Sequence, residues 1–196
     1  MGGIQIPKRS FNRYLFKILL KRTKHIFARD VDTVHDLQNY GYQQVDFFMD
    51  TSYFAYDRKK WRHSQPSTYQ QKFIIININK NAEKFLPEII QDVKGYYQKW
   101  YSIYYVPVAK GDNAYYNDRQ YTERIMRWAE IKEQRFNILD REDDFESFTR
   151  MLAQASMVIS SRLHLFLLAS FLDVPTKVYP YQKKIIKMQQ TLEQLK

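Results

Sequence analysis

The sequence predicts an α/β fold, a parallel sheet with helices on both faces. Three observations carry this. Short β-branched runs such as Phe73–Ile78 (FIIINI) alternate with longer stretches whose apolar residues recur at helical spacing. The runs are near-continuously apolar, the pattern of strands covered on both sides. The chain has 196 residues, is 44% hydrophobic and shows no internal repeat or low-complexity linker, so it can bury a substantial core.

The elements follow in order. Phe11 to Thr23 places Tyr14, Leu15, Ile18 and Leu19 at helical spacing with Arg13, Lys17 and Lys21 on another side, a basic amphipathic helix. His25 to Ala28 reads as a short strand, and Asp32 to Tyr40 as a helix closed by Gly41. Val45 to Met49 reads as a strand ending at Asp50, followed by a polar loop from Asp57 to Gln71. After the Phe73 strand come a helix over Ala82–Tyr101, a strand over Ile103–Val108 and a helix over Tyr116–Glu133. A short strand over Phe136–Leu139 and a helix over Asp144–Ala155 come next. The last elements are a strand over Met157–Ser160, a helix over Arg162–Leu172, a strand over Thr176–Tyr179 and a helix from Lys183. Strands separated by helical crossovers make a parallel sheet.

Composition narrows the chemistry. Cysteine is absent, which removes disulfides, thiol nucleophiles and cysteine-based zinc sites. His25, His35 and His63 lack metal-ligand spacing, so no metal is expected. No apolar run approaches the roughly 20 residues that span a bilayer, and the basic start is a poor signal peptide. The formal charge of +10 favours anionic partners. Basic residues crowd between Lys8 and Arg29, with no acid before Asp30.

In parallel sheets ligands bind beyond the C-terminal strand ends, where helices begin. The candidate positions follow Ala28, Met49, Ile78 and Ile159. The richest is the stretch from Met157 to Lys184. Ser160 or Ser161 can cap the helix there, whose first turn offers free N–H groups to an anion. Arg162 adds a fork of donors suited to phosphate or carboxylate. His164 lies at the same first turn, placed to gain a proton from a bound anion's field and donate it. The same pattern also suits Arg162 paired with a core carboxylate and a satisfied structural His164. Arg29 follows a strand in a similar position, with Thr33 as a possible helix cap, or it pairs with Asp30 or Asp32. Asp50 ends a strand and is placed to take a hydroxyl proton, to orient an arginine, or simply to start a turn. Lys183 and Lys184 either contact phosphate or are merely solvated.

The run SSRLHLFLLASFLDVPTKVYPYQKK (Ser160 to Lys184) resembles the C-terminal motif of the polysaccharide pyruvyl transferase family. That motif is Ser-x-Arg-Leu-His after a strand, an apolar helix, a small-Val-Pro turn, and a later Tyr followed by Lys. Here these are Ser160 to His164, Val174-Pro175, and Tyr181 with Lys183 and Lys184; Asp173 stands where a glycine is common. ARDVDTVHDLQNYGY and MDTSYF resemble the family's upstream strand ends. The resemblance implies a Rossmann-like domain over 25–196, similar to the C-terminal lobe of a GT-B-type glycosyltransferase, with 1–24 as a connecting basic amphipathic helix. It implies that the chain holds only the second lobe and a connecting helix, with a missing N-terminal lobe or a homo-oligomer as the expected partner.

The implied reaction carries the pyruvyl group of phosphoenolpyruvate onto a sugar, as a ketal, with no cofactor. The acceptor is a sugar or lipid-linked oligosaccharide of exopolysaccharide biosynthesis. Arg162 and Arg29 would hold carboxylate and phosphate, and His164 would be the acid. Asp50 would be a base or an orienting group, and Lys184 would touch phosphate. Ser160, Ser161, Tyr181 and Lys183 complete the implied binding set. The implied location is cytoplasmic, with peripheral contact at the inner face of the membrane as a further expectation. Two other readings stand beside this one: a nucleotide-sugar glycosyltransferase lobe of the same fold, and a non-catalytic basic domain binding nucleic acid or anionic membrane.

Overall fold

The protein is represented by a computed structural model that describes residues 6–28, 30–48, 71–106, 118–138 and 145–194. It divides into two compact units. One comprises residues 1–53 and 182–196, the other 54–181. The division expected near residue 24 therefore falls inside the first unit, and the single domain expected over 25–196 is split.

In the first unit, helix α1 (Ser10–Arg22) leads to strand β1 (Ile26–Ala28), helix α2 (Val31–Asn39) and strand β2 (Val45–Phe47). β1 and β2 pair in parallel, with Ile26 opposite Val45. Asp30 caps α2, and its carboxylate accepts from the Thr33 N–H and hydroxyl, each at 2.8 Å. Thr33 is thus capped rather than capping. Gly41 adopts φ +95° just past the helix end, where a side chain would be strained. The core here is Leu20, Ala28, Val34, Leu37, Tyr42 and Val45. The C-terminal helix, Lys183–Gln194, belongs to this unit and ties back through Lys187, 2.9 Å from Asp32.

The second unit is a five-stranded parallel sheet. Its strands are β3 (Phe73–Asn77), β4 (Ser102–Tyr105), β5 (Phe136–Ile138), β6 (Met157–Ser160) and β7 (Thr176–Val178), in the order β5-β4-β3-β6-β7. Every pairing is parallel. All five residues of β3 are buried, as its isoleucine run demands of a central strand. Alternate residues face opposite sides. Ile74, Ile76, Ile103 and Ile159 pack with Ile89 and Val93 of α3 (Leu86–Gln98) and with Ile125 and Met126 of α4 (Asp118–Trp128). Phe73, Ile75 and Val158 pack with Met151 and Leu152 of α5 (Phe145–Ala153) and with Leu165, Leu168 and Ala169 of α6 (Leu163–Phe171). Both faces are covered, and the α/β fold expected from the sequence is the fold found.

The differences are at element ends. Lys80–Phe85 is a 3₁₀ turn, so the helix expected from Ala82 begins only at Leu86, with Pro87 in its first turn. The helix expected over Tyr116–Glu133 is described from Asp118 to Trp128, because Glu130 takes a positive φ and ends it. Across the sheet edge, the Tyr179 hydroxyl donates to Asp92, which Lys177 also contacts at 2.6 Å.

Truncating a fully buried strand residue tests this core. Ile75→Ala is expected to cost about 2–5 kcal/mol, read as a lower urea midpoint without loss of the parallel-sheet circular dichroism.

Candidate functional site

β3 connects to β4 on one side of itself, whereas β6 lies on its other side and leads on to β7. The strand order therefore reverses between the C-terminal ends of β3 and β6, where an open parallel sheet leaves a crevice. Asn77 and Asn79 come from the β3 end, and Ser160, Ser161 and Arg162 from the β6 end. The two ends are stitched together. The Ser161 N–H donates to the Asn77 carbonyl at 3.0 Å, and the Asn79 N–H donates to Ser161 Oγ at 2.7 Å. The Arg162 N–H donates to Ser160 Oγ at 2.9 Å.

Asp118, the first residue of α4, supplies the charge that organises the crevice. Its side chain is fully buried. Arg162 donates Nε to Oδ2 at 2.9 Å and Nη2 to Oδ1 at 2.6 Å, a bidentate pair. Asn79 Nδ2 donates to Oδ1 at 3.0 Å and Asn77 Nδ2 reaches Oδ2 at 3.4 Å. The carboxylate is thus held by four donors, which offsets the cost of burying it. Burial by itself disfavours the Arg162 charge, but the bonded and charged Asp118 outweighs this and raises its pKa above the ordinary value. Tyr181 hydrogen-bonds Arg162 as well. At the end of β4, the Tyr105 hydroxyl is buried without a hydrogen-bond partner, and burial, then the Asp118 charge, pushes its pKa well up.

The expectations for this stretch resolve differently. Arg162 is not a free anion fork, because two of a guanidinium's five donors are committed to a core carboxylate. Ser160 and Ser161 do not cap α6. Arg162 occupies the cap position with no side-chain cap bond, and the serine hydroxyls bond within the crevice instead. Steric and hydrogen-bond demands of the β3–β6 junction thus take the serines. The first turn of α6 keeps N–H groups without a side-chain cap. His164 stands on that turn. It is exposed, whereas seven of the nine helix residues are buried, so it is not a satisfied core histidine.

Tyr181 lies beside Arg162. Lys183 and Lys184 are exposed at the start of the C-terminal helix, in the other unit. Arg29 and Asp50 lie outside the described residues. Asp118, Asn77 and Asn79 were not anticipated. Two asparagines at alternate positions closing an isoleucine strand were a readable signal, since polar side chains there need partners. Asp118 gave none, being far from its partners in sequence. Among the described residues no group of three His, Asp or Glu is placed to hold a metal ion, and no helix is long and apolar enough to cross a membrane.

A model of the polysaccharide pyruvyl transferase family matches residues 2–182. No curated protein is significantly similar to the chain. Among solved structures, a protein assigned as a UDP-N-acetylglucosamine 2-epimerase from Listeria monocytogenes superposes with TM-score 0.57 at 12% identity, over 96% of this chain and 54% of its own. MnaA of S. aureus, solved with UDP, gives 0.56 at 14% identity over 96% and 54%. The Methanocaldococcus jannaschii UDP-GlcNAc 2-epimerase, solved with UDP-GlcNAc and UDP, gives 0.53 at 11% identity over 99% and 59%. At such identities the likeness shows the fold, which is GT-B-like. The chain spans little more than half the length of these neighbours.

Two outcomes follow from the crevice. Asp118→Ala leaves a half-buried guanidinium without its counter-ion and is expected to destabilise by about 3–5 kcal/mol, measured by denaturant unfolding; Arg162→Lys does not restore the two-point geometry. Burial holds the Tyr105 proton above the ordinary phenol value, and burial with the Asp92 bond does the same for Tyr179. The folded chain then keeps protons that the unfolded chain releases, so their contribution is whole below about pH 10 and declines as pH rises beyond it. Unfolding midpoints at alkaline pH check this, with Tyr179→Phe flattening the decline.

Proposed function

As the chain belongs to the polysaccharide pyruvyl transferase family, we propose that it serves in moving a pyruvyl group from phosphoenolpyruvate to a sugar of a cell-surface polysaccharide or its precursor. The observation that carries this reading is His164, the one exposed residue on an otherwise inward-facing helix, at a helix start whose N–H groups lack a side-chain cap. A helix start attracts a substrate bearing both carboxylate and phosphate. An imidazole there is drawn toward its charged form by the anion and can then return the proton.

The chemistry needs three events. The methylene carbon gains a proton, which leaves cation character at C2. Two sugar hydroxyls then bond to C2 in turn, each losing its proton, and the C2–O bond to phosphate breaks. Two C–O bonds form and one breaks; one proton ends on carbon and the other leaves with phosphate. His164 is the donor in the first or last event. Arg162, set in orientation by Asp118, turns its remaining donors to the substrate's carboxylate or phosphate, with the Tyr181 hydroxyl beside it. Ser160 and Ser161 shape the backbone that carries both. The family resemblance, and no geometry, assigns Arg29, Lys183 and Lys184 to the phosphate and Asp50 to the acceptor as base or orienting group. The acceptor, a sugar or lipid-linked oligosaccharide, is proposed to reach the site at the inner face of the membrane.

Differential scanning with added ligands tests the donor. Phosphoenolpyruvate should raise the melting temperature more than inorganic phosphate does, and UDP-GlcNAc should leave it unchanged. Stabilisation by the nucleotide sugar alone points to the glycosyltransferase reading instead. In the complete transferase assembly, His164→Ala should lower transfer by about 10²–10⁴-fold while leaving donor binding largely intact. Normal transfer by both His164→Ala and Arg162→Ala would overturn the assignment.

A further inference from the structure

Helix α1 is apolar where it faces away from its own core. Leu20 is buried and Phe16 half-buried against the core of the first unit. Phe11, Tyr14, Leu15 and Leu19 are exposed by 69%, 63%, 47% and 61%. At about 100° per residue, Tyr14, Ile18, Phe11, Leu15 and Leu19 fall within an arc of roughly 140°, entered only by Arg22 at the last residue of the helix, its centre about 150° from the Phe16–Leu20 side. This is a second apolar face on one helix, and the core explains only the first.

The charges around it are of one sign. Lys8, Arg9, Arg13, Lys17, Lys21, Arg22 and Lys24 all lie on or next to α1, and no acid occurs before Asp30. Arg13, Lys17 and Lys21 form a row along one border of the arc. Two of them, Arg13 and Lys17, lie over the Tyr40 ring of α2, which fixes the row beside the arc. A broad face of Phe, Tyr, Leu and Ile edged by Lys and Arg suits the interface of an anionic bilayer, with the rings and aliphatic chains among acyl groups and the cations at headgroup level. Nucleic acid would engage the cationic row and leave the apolar arc in water. We propose that α1 is an in-plane membrane-binding helix that seats the protein on anionic phospholipid. This holds whether or not the pyruvyl transfer reading is right.

Flotation of the full chain with lipid vesicles tests it. Binding is expected to vesicles containing phosphatidylglycerol and not to phosphatidylcholine alone, and it should weaken as salt rises. Leu15→Glu with Leu19→Glu, both at exposed positions, should abolish flotation while the circular dichroism stays that of the parent. Lys21→Gln with Arg22→Gln should weaken binding by about fivefold per residue. Absence of flotation with anionic vesicles, equal flotation with neutral ones, or unchanged binding by the Leu15→Glu/Leu19→Glu chain each overturns the proposal. So does self-association through this face, seen by light scattering as an oligomer that the same double variant dissolves and that does not float. The comparison of vesicle types with the parent chain decides the matter even if a variant folds poorly.

Discussion

A carboxylate sealed from water is stable only if its surroundings supply the donors that water would have supplied, and Asp118 meets that demand with groups from two other parts of the chain. The guanidinium of Arg162 comes from the end of β6, the amides of Asn77 and Asn79 from the end of β3, and the acid itself from the start of α4. None of these segments is a neighbour of another in sequence. The pair therefore fixes the spacing of the loops at the point where the sheet reverses its order. It also fixes the backbone from which α6 departs, and hence the side chain of His164. An interaction that resembles core architecture thus sets the geometry of the surface where chemistry is proposed.

The arrangement changes what Arg162 means. A freely solvated arginine would bind an anion strongly but would have to be ordered on each encounter. One clamped on two of its nitrogens has already lost that freedom, so less is lost when a ligand arrives. The cost is strength: part of the charge is answered from behind by Asp118. For the proposed donor this would favour a ligand of fixed shape with two anionic ends over a single strong anion, since selectivity would come from the direction of the remaining donors.

Most of the fold was legible in the sequence because its strands announce themselves. Phe73 to Asn77 and Met157 to Ser160 are short, β-branched and apolar, and only a doubly covered sheet buries such runs. The α6 helix was readable from its position after a strand and its mostly apolar sequence. The breaks were less legible. Leu86 starts a helix four residues later than Ala82 because Asn79 first accepts from the Asn81 N–H and winds a tight turn. In the site, Arg162, His164 and Tyr181 could be found because one contiguous motif carries them. Asp118 could not, since the reason for its burial lies 41 and 44 residues away. The grouping of β1 and β2 with the final helix was equally hidden, because contacts between distant segments leave no mark on either one.

That grouping has a consequence for how the chain acquires its shape. The sheet of the second unit is made from an uninterrupted stretch, so all its strand pairings lie within that stretch. The first unit is discontinuous, assembled from both extremes of the polypeptide. During synthesis, α1, β1, α2 and β2 precede the helix Lys183–Gln194 by the whole length of the second unit, so their own unit is completed only once that helix has been made. The segments of the first unit that come before the sheet are thus joined by their last member only after it.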